Sequence, residues 1–152
     1  MYRVWFGGWL LAILLYSSIS PAYAGDGLDL EQHAGKVVVV DFWASWCVPC
    51  RRSFPWMNRM QAQYGEQGLV IIGVNVDRDR ASAAEFLEDV PADFMIHYDN
   101  DAALAREFEV EAMPSSFVIG RDGQVIARHL GFKVKRQEEY EAVLRKALGV
   151  EQ

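Results

Sequence analysis

The 152 residues, 51% of them hydrophobic, are enough for one domain with a full apolar core, and no repeat, linker or low-complexity tract divides them. With 21 acidic against 15 basic residues the net charge is −6, and no Lys/Arg-dense run offers the attraction to phosphate that nucleic-acid binding needs. Two cysteines are too few for a disulfide framework, so their pairing needs another explanation.

Arg3 precedes an apolar run from Val4 to Leu15, a polar stretch at Ser17–Ser20, and then Pro21-Ala22-Tyr23-Ala24, with small residues where a signal peptidase reads. The run falls short of the roughly 20 residues that span a bilayer, and Gly7-Gly8 interrupts its start. Residues 1–24 are therefore expected to be a cleavable secretory signal rather than a membrane anchor, with residues 25–152 as the mature domain. No cysteine lies near the cut to carry a lipid, and losing Arg3 leaves the mature domain more acidic.

Asp29–His33 suggests one short helical turn ahead of Gly35. Val37–Trp43 is a continuous β-branched and aromatic run, the pattern of a central strand covered on both faces, with Asp41 as its one charge. Phe54, Met57, Met60 and Tyr64 recur at helical spacing and predict a helix from about Pro49 to Gly65, which Pro55 should kink. Leu69–Val76 reads as a second buried strand, completing a strand–helix–strand unit. Ala81–Val90 reads as a helix with Phe86 and Leu87 inward, Phe94–Tyr98 as a short strand, and Asp101–Phe108 as a helix capped by Asp99-Asn100-Asp101. Ser116–Ile119 and Gln124–Leu130 flank Asp122-Gly123, a hairpin signal, and Gln137–Leu148 closes the chain as a helix with Tyr140, Val143, Leu144 and Ala147 inward. Alternating strands and helices followed by a hairpin give a mixed α/β sheet.

Cys47 and Cys50 sit at the strand-to-helix turn. Free N–H groups and the helix dipole at such a start stabilise an anion, which lowers a thiol pKa from about 8.5 into a range of roughly 3.5 to 7.5. Cys47, expected at the exposed end, is the candidate nucleophile, and Cys50, one turn further in and within disulfide reach, is the candidate resolving thiol. Pro49 costs no helical hydrogen bond at this position, and Trp43 and Trp46 are expected to frame the sulfur. A cross-link closing so short a loop adds little stability. Zinc would need four ligands, and His33, His97 and His129 are scattered without ligand spacing. A Cu(I)-binding dithiol, as in a metallochaperone for copper-site assembly, stays open as the alternative, because soft Cu(I) accepts two thiolates.

Val40-Asp41-Phe42-Trp43-Ala44-Ser45-Trp46-Cys47-Val48-Pro49-Cys50-Arg51-Arg52 resembles the active-site signature of the thioredoxin superfamily. Phe54-Pro55, Val74-Asn75-Val76-Asp77, Met113-Pro114-Ser115-Ser116-Phe117-Val118-Ile119 and Asp122-Gly123-Gln124-Val125-Ile126 resemble its secreted TlpA/ResA branch, over roughly Gly35 to Leu148. The resemblance implies a thioredoxin-like fold, a mixed central sheet with helices on both faces, and protein-disulfide oxidoreductase chemistry without a cofactor. It implies further that Pro114 is the cis-proline facing the dithiol and that Met113 pairs with an extended substrate chain beside Trp46. Asp41 takes the place of a buried acid whose raised pKa would let it pass protons to and from Cys50. The implied partners are disulfide-containing exported proteins and a membrane thiol–disulfide electron donor, and the implied setting is the periplasm, with the chain a monomer.

Departures from relatives narrow this. Ser53 stands where some cytochrome-maturation members carry an acid, and their insert ahead of the proline loop is missing, which argues against dedicated service to apocytochrome c. Ala44 lies three residues before Cys47, where a peroxiredoxin has Thr, and the two-residue spacing of the cysteines differs from the three of Sco-type copper proteins. Val48-Pro49 keeps the proline of reducing thioredoxins and lacks the histidine of DsbA, so the expected potential lies nearer about −270 mV than about −120 mV.

Overall fold

A computed structural model describes residues 27–151, so the expected signal at 1–24 lies outside the described residues. After a 3-10 turn at Glu31–His33, the chain runs β1 (Val37–Trp43), α1 (Val48–Tyr64), β2 (Leu69–Asn75), α2 (Arg80–Asp89), β3 (Met95–Tyr98), α3 (Ala103–Glu107), β4 (Ser115–Ile119), β5 (Val125–Leu130) and α4 (Gln137–Leu148). The sheet order is β3-β2-β1-β4-β5. β1, β2 and β3 are parallel, while β4 runs antiparallel to β1 and β5 antiparallel to β4.

All seven β1 residues are buried because the strand is central and covered on both faces. Val37, Val39 and Trp43 pack with Phe54, Met57 and Met60 of α1, Phe86 of α2, and Tyr140 and Leu144 of α4. Val38, Val40 and Phe42 face the other way, against Leu104 and Ala105 of α3, Phe108 and Leu28. Helices thus cover both faces, three on one and α3 on the other. Alternation along β1 sends Asp41 to the face of Val39 and Trp43, among apolar side chains.

Trp43 is a core residue, not a frame for the sulfur. Its ring lies 5.0 Å from that of Phe54 and 4.8 Å from that of Phe86, and the residue is fully buried. α1 runs unbroken through Pro55. α3 is shorter than the sequence pattern, because Asp101 caps it through the Ala103 N–H and Ala102 takes a left-handed φ of 57°. The Asp99 carboxylate, buried, receives the N–H groups of Leu104 and Ala105. On α4 the fully covered positions are Tyr140, Leu144 and Leu148, with Val143 and Ala147 half-buried. Gly123 turns the β4–β5 hairpin with a φ of 78°, conformational freedom that a side chain at this position would restrict.

Candidate active site

The C-terminal end of β1 delivers the turn that carries Cys47 and Cys50. Phe42 pairs with Ser115, so the segment leaving β1 and the segment entering β4 meet at one end of the sheet. The first carries Ala44 to Cys50 and the second carries Met113-Pro114. The Met113–Pro114 bond is cis. Pro114 is buried, with its carbonyl accepting from the Gly131 N–H at 2.7 Å, and Met113 packs against the apolar cluster that contains both cysteines.

Cys47 is the N-cap residue of α1 and is disulfide-bonded to Cys50. The Cys50 N–H donates to the Cys47 carbonyl at 3.1 Å and points at Cys47 Sγ, 3.3 Å away. An N–H of the first helical turn, shared with the Cys47 carbonyl, is therefore already aimed at the sulfur that would carry negative charge. The expectation of an exposed Cys47 needs correction. The residue is 3% exposed, because its N–H folds back onto the Ala44 carbonyl and tucks the side chain against the helix start. Trp46, by contrast, stands 69% exposed, with exposed Val48 on the other side of Cys47.

The turn is held from β2. The Ser45 N–H and hydroxyl donate to the two oxygens of Asp77, at 2.8 and 2.9 Å, and Asn75 Nδ2 donates to the same carboxylate at 2.7 Å. Residue roles for this trio were not evident in the sequence. The available signal was a pair of polar residues, Asn75 and Asp77, at the end of an otherwise apolar strand, which ends where β1 releases the Cys47–Cys50 turn. Ser53 is buried, with its hydroxyl donating to the Cys50 carbonyl at 3.1 Å.

Asp41 is fully buried, and Ser116 Oγ of β4 donates to its Oδ1. Burial raises its carboxyl pKa to about 7 from an ordinary 3.8, and the Ser116 hydrogen bond works against that rise. The other carboxyl oxygen has no hydrogen-bond partner among the described residues. Also among the described residues, no three His, Cys, Asp or Glu side chains stand together as a metal site. His33, His97 and His129 lie apart, on the 3-10 turn, β3 and β5.

A five-stranded mixed sheet with a Cys-X-X-Cys at the start of the helix after its central strand defines a thioredoxin-like protein of the thiol–disulfide oxidoreductase class. Residues 20–144 match the Redoxin family, and the chain belongs to it. The chain is 32% identical over 117 residues to the thiol-disulfide oxidoreductase ResA of Bacillus thuringiensis, covering 76% of this chain and 68% of that one. It is 30% identical over 115 residues to ResA of Bacillus cereus, of which it spans 66%. It thus spans about two thirds of the length of these relatives. Among solved structures it is similar to a Chlorobium tepidum chain assigned as thiol:disulfide interchange protein DsbE, at 43% identity and a TM-score of 0.80, covering 85% of this chain and 94% of that one. StoA of Bacillus subtilis, at 20% identity and a TM-score of 0.61 over 71% of this chain and 84% of its own, shares the fold.

Proposed function

We propose that this chain reduces disulfides in exported proteins, acting in the periplasm after residues 1–24 direct its export. The observation that carries the reading is the Cys50 N–H aimed at Cys47 Sγ at the start of α1. In the dithiol form, the Cys47 thiolate attacks one sulfur of a client disulfide. That bond breaks, a mixed disulfide forms, and the released client sulfur takes up a proton. Cys50 then gives its proton to the Asp41 carboxylate and attacks Cys47 Sγ, which frees the second client thiol and leaves the Cys47–Cys50 disulfide. A membrane thiol–disulfide donor returns the two electrons. Trp46 and Met113 form the docking surface for an extended client chain, with Pro114 shaping the loop beside the dithiol.

The mature domain should reduce insulin with dithiothreitol as donor, and Cys47→Ser should abolish this. Cys50→Ala should trap mixed disulfides with exported client proteins. A wild-type domain that leaves insulin intact while its dithiol retains Cu(I) against a competing chelator overturns the reading in favour of copper binding.

A further inference from the structure

A proton that enters a fully buried carboxyl needs a way out. Asp41 lies opposite Ser116 in the β1–β4 register, and Ser116 lies opposite His129 in the β4–β5 register. Directly paired residues on neighbouring strands share one face of a sheet. The three polar side chains therefore form a continuous row, from the centre of the sheet to its edge strand β5. No apolar side chain interrupts it.

The inner link is made, since Ser116 Oγ donates to Asp41. The outer link crosses a small cavity of about 20 Å³ lined by Ser116, His129, Trp56, Phe132 and Tyr140. That volume accommodates one water, which needs roughly 10–15 Å³ and two to four polar partners. Three of the lining residues carry polar atoms that could hold it: the Ser116 hydroxyl, His129 Nε2 and Trp56 Nε1. The two ring nitrogens are buried without a hydrogen-bond partner among the described residues. An indole N–H only donates, whereas a hydroxyl and a neutral imidazole nitrogen can each accept, so one water can satisfy all three. His129 itself is only partly buried.

We propose that Ser116, a water held between Ser116, His129 and Trp56, and the His129 imidazole conduct the Asp41 proton to and from solvent. This rests on the reading of Asp41 as the proton partner of Cys50. When Asp41 takes the proton from Cys50, its O–H donates to Ser116 Oγ and the Ser116 hydroxyl turns to donate to the water, so the proton passes from the Asp41 carboxyl to the Ser116 oxygen as that hydroxyl releases its own to the water. The water in turn protonates His129, which discharges to solvent, so no net charge stays in the core. Gly73 of β2, on the other side of Asp41, brings no side chain to compete. Around His129, the Tyr140 ring of α4 lies tilted with its centroid 4.9 Å away, and Arg136 and Glu139 bring opposite charges. Burial, with Arg136, holds the imidazole pKa below its usual value against the pull of Glu139.

The test reacts the dithiol protein with thionitrobenzoate disulfide. The first release of thionitrobenzoate reports Cys47 attack and the second reports Cys50 closing the ring. His129→Ala should slow the second release near pH 7 by about tenfold, short of the ~10²-fold typical when a positioned acid or base itself is lost. Added imidazole should restore it. His129→Gln, which keeps a polar side chain, should be slow as well, and Ser116→Ala should resemble both. In an Asp41→Asn background, already slow, none of the three should slow it further. An unchanged second release in folded His129→Ala and His129→Gln, or equal slowing with and without Asp41, overturns the relay alone. If Asp41→Asn leaves the second release unchanged, the proton role of Asp41 falls and takes the relay with it.

Discussion

The Asp77 carboxylate receives both donors of Ser45, the backbone N–H at 2.8 Å and the hydroxyl at 2.9 Å, two residues before Cys47. Asp77 is buried, and it also accepts from Asn75 Nδ2. Asp77→Ala would strand three donors at the end of the sheet, at a cost of about 1–3 kcal/mol for the least compensated of them. Ser45→Ala removes only the hydroxyl and should cost about 1 kcal/mol. Urea unfolding of the oxidised domain measures both. Equal stability of Asp77→Ala and wild type would show that the network does not hold the turn.

Asp41 ties stability to pH. The folded protein keeps this proton up to about pH 7, whereas the ordinary carboxyl of an unfolded chain loses it near 3.8. Between those values the folded state binds the extra proton, so the contribution is complete below the lower pH and is lost as pH rises through the upper one. The roughly three pH units between them correspond to at most about 4 kcal/mol. Asp41→Asn cannot titrate. The stability of wild type relative to Asp41→Asn should therefore decline from pH 4 to 8, with both proteins kept as disulfides so that no thiol contributes. A difference that stays flat across that range would refute the raised pKa.

The elements that were legible from the sequence are those with strong local patterns. Val37–Trp43 emerged as β1 with the bounds its apolar run implied, and Gln137–Leu148 as α4, because burial and helical period are written into consecutive residues. The Cys47-X-X-Cys50 turn was legible for the same reason, and so was the raised pKa of the lone acid in β1. What could not be read depends on residues distant in sequence. Asp77 grips Ser45 across 32 positions and Ser116 reaches Asp41 across 75. Trp43, placed at the sulfur by its nearness in sequence, belongs instead to the Phe54–Phe86 cluster because strand alternation turns it inward. Cys47 is covered for a reason of turn geometry that residue type does not reveal.

Trp46 separates binding from stability. With 69% of the residue exposed, Trp46→Ala should change the unfolding free energy by no more than about 0.5 kcal/mol. An exposed aromatic next to the proposed nucleophile is a natural contact for a client chain, and such anchors commonly contribute about 2 kcal/mol or more to an interface. Insulin reduction should accordingly show a higher KM at a kcat that changes little, while reaction with a small aromatic disulfide stays close to wild type. Loss of rate with the small disulfide as well would place Trp46 in the chemistry of Cys47 rather than in docking.

Gly73 marks the tightest point beside the site. It pairs with Asp41 on one side and Ile96 on the other, and a Cβ added there would lie 3.0 Å from Phe94 Cε2 and 3.1 Å from both Ile96 Cδ1 and Trp43 Nε1. Carbon contacts are optimal at about 3.5–4.0 Å, so three rings and chains must give way at once. Trp43 has little freedom to do so, wedged between Phe54 at 5.0 Å and Phe86 at 4.8 Å. Gly73→Ala should therefore destabilise the domain by about 1–3 kcal/mol, the usual cost of overpacking. Trp43→Phe withdraws the indole nitrogen from the crowded side, and the smaller ring should accept the new methyl. In that background the cost of Gly73→Ala should shrink by at least about 0.5 kcal/mol, the coupling expected of residues in contact. Strictly additive costs in urea unfolding would mean that the methyl is absorbed by Phe94 and Ile96 alone, and that the tryptophan next to the reactive turn is not under pressure from β2.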